Sequence, residues 1–122
     1  MKKRLLIVED DDNLMDLMLD YCEEINVTPI PAVDGTTALS KALSERPDAA
    51  TVDYRLPDMS GMDVIDRLKK SPTTASIPLF LLSADAKLHE SEAKKAGAAG
   101  VLLKPVSPDG LRAALKGCWG DW

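Results

Sequence analysis

Four short apolar runs each end on a different reactive side chain. Leu5-Leu6-Ile7-Val8 ends on Glu9-Asp10, Ala49-Ala50-Thr51-Val52 on Asp53, Leu79-Phe80-Leu81-Leu82 on Ser83, and Val101-Leu102-Leu103 on Lys104. As parallel strands of one sheet, these runs bring three carboxylates, a hydroxyl and an ammonium to one crevice. Open α/β sheets bind ligands at that carboxyl edge. Three carboxylates in one crevice repel, at roughly 4 kcal/mol for two charges about 4 Å apart at an effective dielectric near 20. Lys104 supplies one compensating charge. A hard divalent ion such as Mg2+, held by one or two carboxylates, waters and a phosphate oxygen, supplies two more. A carboxylate beside Mg2+ and Lys can act as a nucleophile toward a phosphoryl group and form an acyl phosphate. The cations then balance charge on the transferring oxygens.

The elements that must position these groups alternate between short apolar runs and helical periods, the pattern of βαβ units and a parallel sheet. Strands are expected near Arg4–Glu9, Thr28–Val33, Ala49–Asp53, Pro78–Leu82 and Gly100–Leu103. Helices are expected near Asp12–Asn26, from Asp34-Gly35 onward, Met62–Lys70, Asp85–Ala96, and after Ser107. Gly97 reads as a C-terminal cap, while Ser107, Pro108 and Asp109 read as a helix start. Pro29 and Pro31 force the second strand to an edge, because each removes a ladder donor. An edge position there fits the doubly wound order 2-1-3-4-5 of a flavodoxin-like (βα)5 fold. Its switch point lies between strands one and three. Glu9-Asp10 and Asp53 end those two strands, so topology and chemistry indicate the same crevice.

Val8-Glu9-Asp10-Asp11, Asp53-x-x-x-Pro57-x-x-x-Gly61, Leu82-Ser83-Ala84 and Lys104-Pro105 together resemble the signature of receiver domains of two-component response regulators. The resemblance covers essentially the whole chain, 1–122, as a single receiver domain. It implies that Asp53 is the phosphoacceptor, taking phosphate from a histidine kinase or a histidine phosphotransfer protein. Glu9 and Asp10 match the acidic pair that holds Mg2+, with Asp53 and the backbone carbonyl of Arg55 completing the protein ligands. Ser83 matches the hydroxyl that hydrogen-bonds the phosphoryl group, and Lys104 the ammonium that pairs with it. Pro105 follows a peptide bond that is often cis in such domains. The implied function is a phosphorylation-controlled switch signalling to a downstream protein target through the helix-four, strand-five, helix-five face. Chemistry is then limited to self-catalysed phosphotransfer and dephosphorylation, without enzymatic turnover of a substrate.

Individual residues carry further expectations. Val101 stands where many receivers have an aromatic switch residue, so phosphorylation is expected to shift helix four and strand five less, or by another route. Arg55 and Asp85 are expected to overlook the phosphoryl group, and if they pair they could obstruct the in-line water. Apolar residues of helix one sweep about 200° of its surface, twice what a core stripe needs. Met15 and Leu19 are therefore candidates for docking a kinase or phosphotransfer helix, with deeper burial as the competing explanation. Trp119 and Trp122 either pack over the domain end or contact a partner. His89, the one histidine, is expected in solvent. Ser83 could also cap helix four without losing the phosphate role.

Composition sets the remaining bounds. At 122 residues the chain suits one domain burying roughly two-thirds of its unfolded surface. A net charge of −5 with no basic cluster beyond Lys2-Lys3-Arg4 argues against direct nucleic-acid binding. No apolar run is long enough to span a membrane or to form a secretion signal. A cytoplasmic protein is expected, with Cys22 and Cys118 reduced, either monomeric or a weak phosphorylation-dependent dimer. Among other classes, an aspartate-nucleophile phosphohydrolase of the haloacid-dehalogenase type would place an Asp where Arg55 stands. A flavodoxin-like flavin binder would meet a repulsive Glu9-Asp10-Asp11-Asp12 loop. A phosphate-independent pseudo-receiver would be expected to have lost part of the acidic site.

Overall fold

The computed structural model describes residues 2–122. Five strands and five helices alternate: β1 (Arg4–Val8), α1 (Asp12–Glu24), β2 (Thr28–Ala32), α2 (Gly35–Glu45), β3 (Ala49–Asp53), α3 (Gly61–Lys70), β4 (Leu79–Ser83), α4 (Ala86–Ala96), β5 (Gly100–Leu103) and α5 (Pro108–Trp119). All strand pairs are parallel, in the order β2-β1-β3-β4-β5. This is the doubly wound sheet expected from the alternating pattern.

The prolines of β2 lie where a missing donor does no harm. Thr28 donates its N–H to the Lys3 carbonyl on the β1 side. By strand alternation, Ile30 and Ala32 face the same way, and the nitrogens of Pro29 and Pro31 face the open edge. The same alternation divides the core. Leu6 and Val8 of β1 pack with Ala38 and Ala42 of α2 and Val64, Ile65 and Leu68 of α3. Leu5 and Ile7 pack with Met15, Met18 and Cys22 of α1 and Leu111 and Leu115 of α5. Burial on both faces explains why the central strands read as unbroken apolar runs.

Small boundary shifts have local causes. α1 stops at Glu24 because Asn26 takes a left-handed conformation, φ 63°. α3 starts one residue early, at Gly61, since Ser60 caps it reciprocally with Asp63. β4 runs from Leu79 through Ser83, whose backbone partner in β5 is Leu103. Asp85 is the cap of α4 and Gly97 its left-handed C-terminal cap. Ser107 caps α5 ahead of Pro108.

The structure narrows two pairs of alternatives that the sequence leaves open. Met15 is only 8% exposed and belongs to the core, so deeper burial accounts for much of the broad apolar face of α1. Leu19 is half-buried against the same cluster, and the exposed leucine of that helix is Leu17. The tryptophans pack on the domain. Trp119 donates its indole N–H to the Asp48 carbonyl and Trp122 to the Ile25 carbonyl, both at 3.0 Å. Their rings meet edge to face at 5.2 Å. Both cysteines are free thiols, Cys22 buried and Cys118 exposed. Among the described residues no helix is long and apolar enough to cross a membrane.

The loop between β3 and α3 is fastened to the start of α2. Asp58 accepts from the backbone N–H groups of Gly35 and Thr36 at 2.8 and 2.9 Å and from the Thr36 hydroxyl at 2.8 Å. These donors hold its carboxyl down at about 2, below the ordinary 3.8. A depressed carboxyl contributes stability above its unfolded pKa, and that contribution is lost as pH falls through the folded value. Asp58→Asn is therefore expected to flatten the decline in melting temperature between about pH 4 and pH 2 relative to the parent. Parallel acid limbs in a thermal melt series would contradict this.

Candidate functional site

Glu9 and Asp10 follow the last residue of β1, Asp53 closes β3, Ser83 closes β4, and Lys104 follows β5. The sheet order sets β1 beside β3 and β3 beside β4, so these side chains meet at one end of the sheet. Glu9, Asp10 and Asp53 each present a carboxylate oxygen within 4.8 Å of the others. Lys104 Nζ lies 2.5 Å from Asp53 Oδ1 and 3.8 Å from Glu9 Oε1. The Lys104–Pro105 peptide is cis.

Local backbone structure fixes each group. Glu9 donates its N–H to Ala32 of β2, and its Oε2 accepts from Asp11 N–H at 3.1 Å. Asp11 caps α1 through the N–H groups of Asn13 and Leu14, so capping does not occupy Glu9 and Asp10. Lys104 N–H bonds to the Ser83 carbonyl and Tyr54 N–H to the Leu82 carbonyl, continuing the ladder past the strand ends. Gly61 N–H meets the Tyr54 carbonyl at 2.7 Å, folding the loop back over Asp53. Arg55 and Ser60 form an isolated antiparallel bridge across its neck.

The charge balance is uneven. Glu9 is 1% exposed and Asp53 4%. Three clustered carboxylates face one ammonium, and each pair separated by about 4.8 Å costs about 3.5 kcal/mol at a dielectric near 20. Burial pushes the Glu9 carboxyl up to about 7; the Asp11 N–H and Lys104 oppose this, and Asp53 and Asp10 reinforce it. Glu9 Oε1 is buried with no hydrogen-bond partner, since 3.8 Å from Lys104 is beyond bonding distance. A buried oxygen without a partner, in an all-oxygen cluster with surplus negative charge, fits a divalent cation.

Opposite the acidic cluster the site opens into a cleft of about 400 Å³ lined by Asp53, Arg55, Ser83, Asp85, His89 and Lys104 among others. Arg55 and Asp85 both overlook it, as expected, but form no ion pair with each other among the described residues. His89 departs from expectation. It sits at the cleft and not in solvent, with its ring stacked on Tyr54 at 3.9 Å between centroids. Its Nδ1 is 2.7 Å from Ser83 Oγ. Ser83 is not the cap of α4; its Oγ accepts the Asp85 N–H at 3.0 Å while Asp85 itself caps Leu88. The signal for His89 lay in its spacing: capping at Asp85 starts α4 and brings position 89 one turn later, above Ser83.

A family model described as the response regulator receiver domain matches residues 5–116. The chain belongs to this family. The receiver is 32% identical over 122 residues to the polar-differentiation response regulator DivK of Brucella anthropi, covering 99% of each chain. It is 31% identical over 116 residues to the alkaline phosphatase synthesis transcriptional regulatory protein PhoP of Bacillus subtilis. That match covers 95% of this chain and 48% of PhoP, so the receiver spans about half the length of that relative. A CheY-like receiver domain protein from Methanospirillum hungatei superposes with a TM-score of 0.87 at 28% identity, over 96% of this chain and 93% of that one. The chemotaxis protein CheY4 of Vibrio cholerae shares the fold, with a TM-score of 0.90 at 24% identity over 97% and 99% of the two chains. Receiver domains with such an acidic cluster are phosphorylation-controlled signalling switches, and their chemistry is self-catalysed phosphotransfer and dephosphorylation.

Proposed function

We propose that residues 1–122 act as one receiver domain that accepts a phosphoryl group on Asp53 from a histidine kinase or a histidine phosphotransfer protein and signals by binding a downstream protein. The observation that carries this reading is the setting of Asp53. It is a buried carboxylate with Lys104 on one oxygen and Glu9 and Asp10 within 4.8 Å. An Asp53 oxygen forms the new O–P bond as the P–N bond of the donor phosphohistidine breaks, and the electron pair returns to the donor imidazole. Lys104 offsets negative charge on the transferring oxygens, and the Ser83 hydroxyl donates to one of them. Glu9, Asp10, Asp53 and the Arg55 carbonyl would hold Mg2+, which supplies positive charge to the phosphoryl oxygens when bound.

Intact-mass measurement after incubation with acetyl phosphate tests the reading. The parent protein is expected to gain one phosphoryl group in Mg2+ and none in excess chelator. Asp53→Ala is expected to gain none in either. A parent that stays unmodified, or an Asp53→Ala variant that is modified as readily, would overturn it.

A further inference from the structure

Ser83 is 2% exposed, and a buried hydroxyl has one hydrogen to place. Its oxygen already accepts the Asp85 N–H. Among the described residues, the acceptor within reach of the remaining hydrogen is His89 Nδ1, at 2.7 Å. With Ser83 donating and Nδ1 accepting, the one hydroxyl hydrogen is satisfied and the contact is filled from both sides. The His89 ring is held from its face as well, by the Tyr54 stack. Tyr54 follows Asp53 directly in the chain and is tied to β4 through the Leu82 carbonyl.

We propose that His89 is a positioning residue whose Nδ1 holds the single hydrogen of the Ser83 hydroxyl until a phosphoryl oxygen on Asp53 takes it. This rests on Asp53 being the phosphoacceptor with Ser83 beside the transferred group. A hydroxyl with one hydrogen cannot serve both acceptors. The anionic phosphoryl oxygen wins, because charge-assisted hydrogen bonds are roughly twice as strong as neutral ones. Once the hydrogen turns to the phosphoryl group, Nδ1 has lost its donor. The ring then moves off Ser83, carrying the first turns of α4 with it. The coupling runs through a ring on α4, which suits a chain whose β5 offers Val101 and no aromatic side chain at the usual switch position.

Two measurements test the proposal. His89 is the one histidine of the chain, so the imidazole nitrogen-15 spectrum of the untagged protein reports it without ambiguity. Nδ1 is expected to carry the signature of an unprotonated acceptor in the resting protein. That signature is expected to change when Mg2+ and beryllofluoride, a phosphoryl analogue, are added. His89→Phe keeps a ring over Tyr54 and removes the acceptor. It is expected to bind beryllofluoride about two- to tenfold more tightly than the parent, the equivalent of one net hydrogen bond. In a Ser83→Ala background the same substitution is expected to change nothing. An unchanged Nδ1 resonance in a protein that acetyl phosphate modifies on Asp53 would overturn this inference alone. So would an equal effect of His89→Phe with and without the Ser83 hydroxyl. No modification of Asp53 at all would remove both this inference and the proposed function.

Discussion

Gly61→Ala is expected to destabilise the receiver by about 2–4 kcal/mol and to displace Asp53. A Cβ at position 61 would lie 2.2 Å from the Asp53 carbonyl oxygen, 2.9 Å from its carbon and 3.1 Å from Leu81 Cδ1. The first two are backbone atoms, which cannot turn aside as a side chain does. β3 is hydrogen-bonded between β1 and β4, so relief must come from the loop or from the strand end that carries the acidic site. Opening the loop would break the 2.7 Å bond from Gly61 N–H to the Tyr54 carbonyl. Gly117→Ala is the control. It lies within α5 with nothing near its added Cβ, and should raise stability by about 0.5–1 kcal/mol through helix propensity. Urea titrations of both variants, with acetyl phosphate labelling of the folded fraction, measure the two effects. Equal stability of Gly61→Ala and the parent would mean that the loop yields freely and does not position Asp53.

That glycine also shows how far the sequence alone carries. Its spacing after Asp53 is visible as a pattern, but the reason, contact with the backbone that carries the acid, needs coordinates. The strand ends were legible because a buried strand must be apolar on both faces and reactive residues stand out where it stops. The sheet order was legible from Pro29 and Pro31, because a missing donor permits few positions. Side chains on amphipathic helices were less so. Met15 and Leu19 read equally well as a docking flank or as deeper burial of α1, and the structure buries the first and half-buries the second. Periodicity locates a face without telling how deep it sits. His89 was lost for a related reason: helical phase places a residue above a turn, while a 2.7 Å bond and a ring stack depend on where α4 docks against β4.

Glu9→Gln is expected to raise stability without the divalent ion and to lose most of the stabilisation that the ion gives. In chelator the parent buries a carboxylate at 1% exposure, with Oε1 unbonded and two other carboxylates close by. Glutamine has nearly the same shape, keeps an oxygen to accept the Asp11 N–H, and removes the charge. Relief of that burial should raise metal-free stability by about 1–3 kcal/mol. With Mg2+ the balance shifts toward the parent. An ion at about a hundred times its dissociation constant stabilises the parent by about 2.7 kcal/mol. Losing a charged ligand that weakens binding about thirtyfold leaves about 0.9 kcal/mol of that gain. Melting curves of both proteins in chelator and in Mg2+ should therefore show a much smaller Mg2+ gain for the variant, enough to cross the two stabilities if the metal-free relief is near its lower bound. A variant less stable than the parent in chelator would show that Glu9 is well accommodated without a cation. An undiminished Mg2+ gain would place the ion elsewhere.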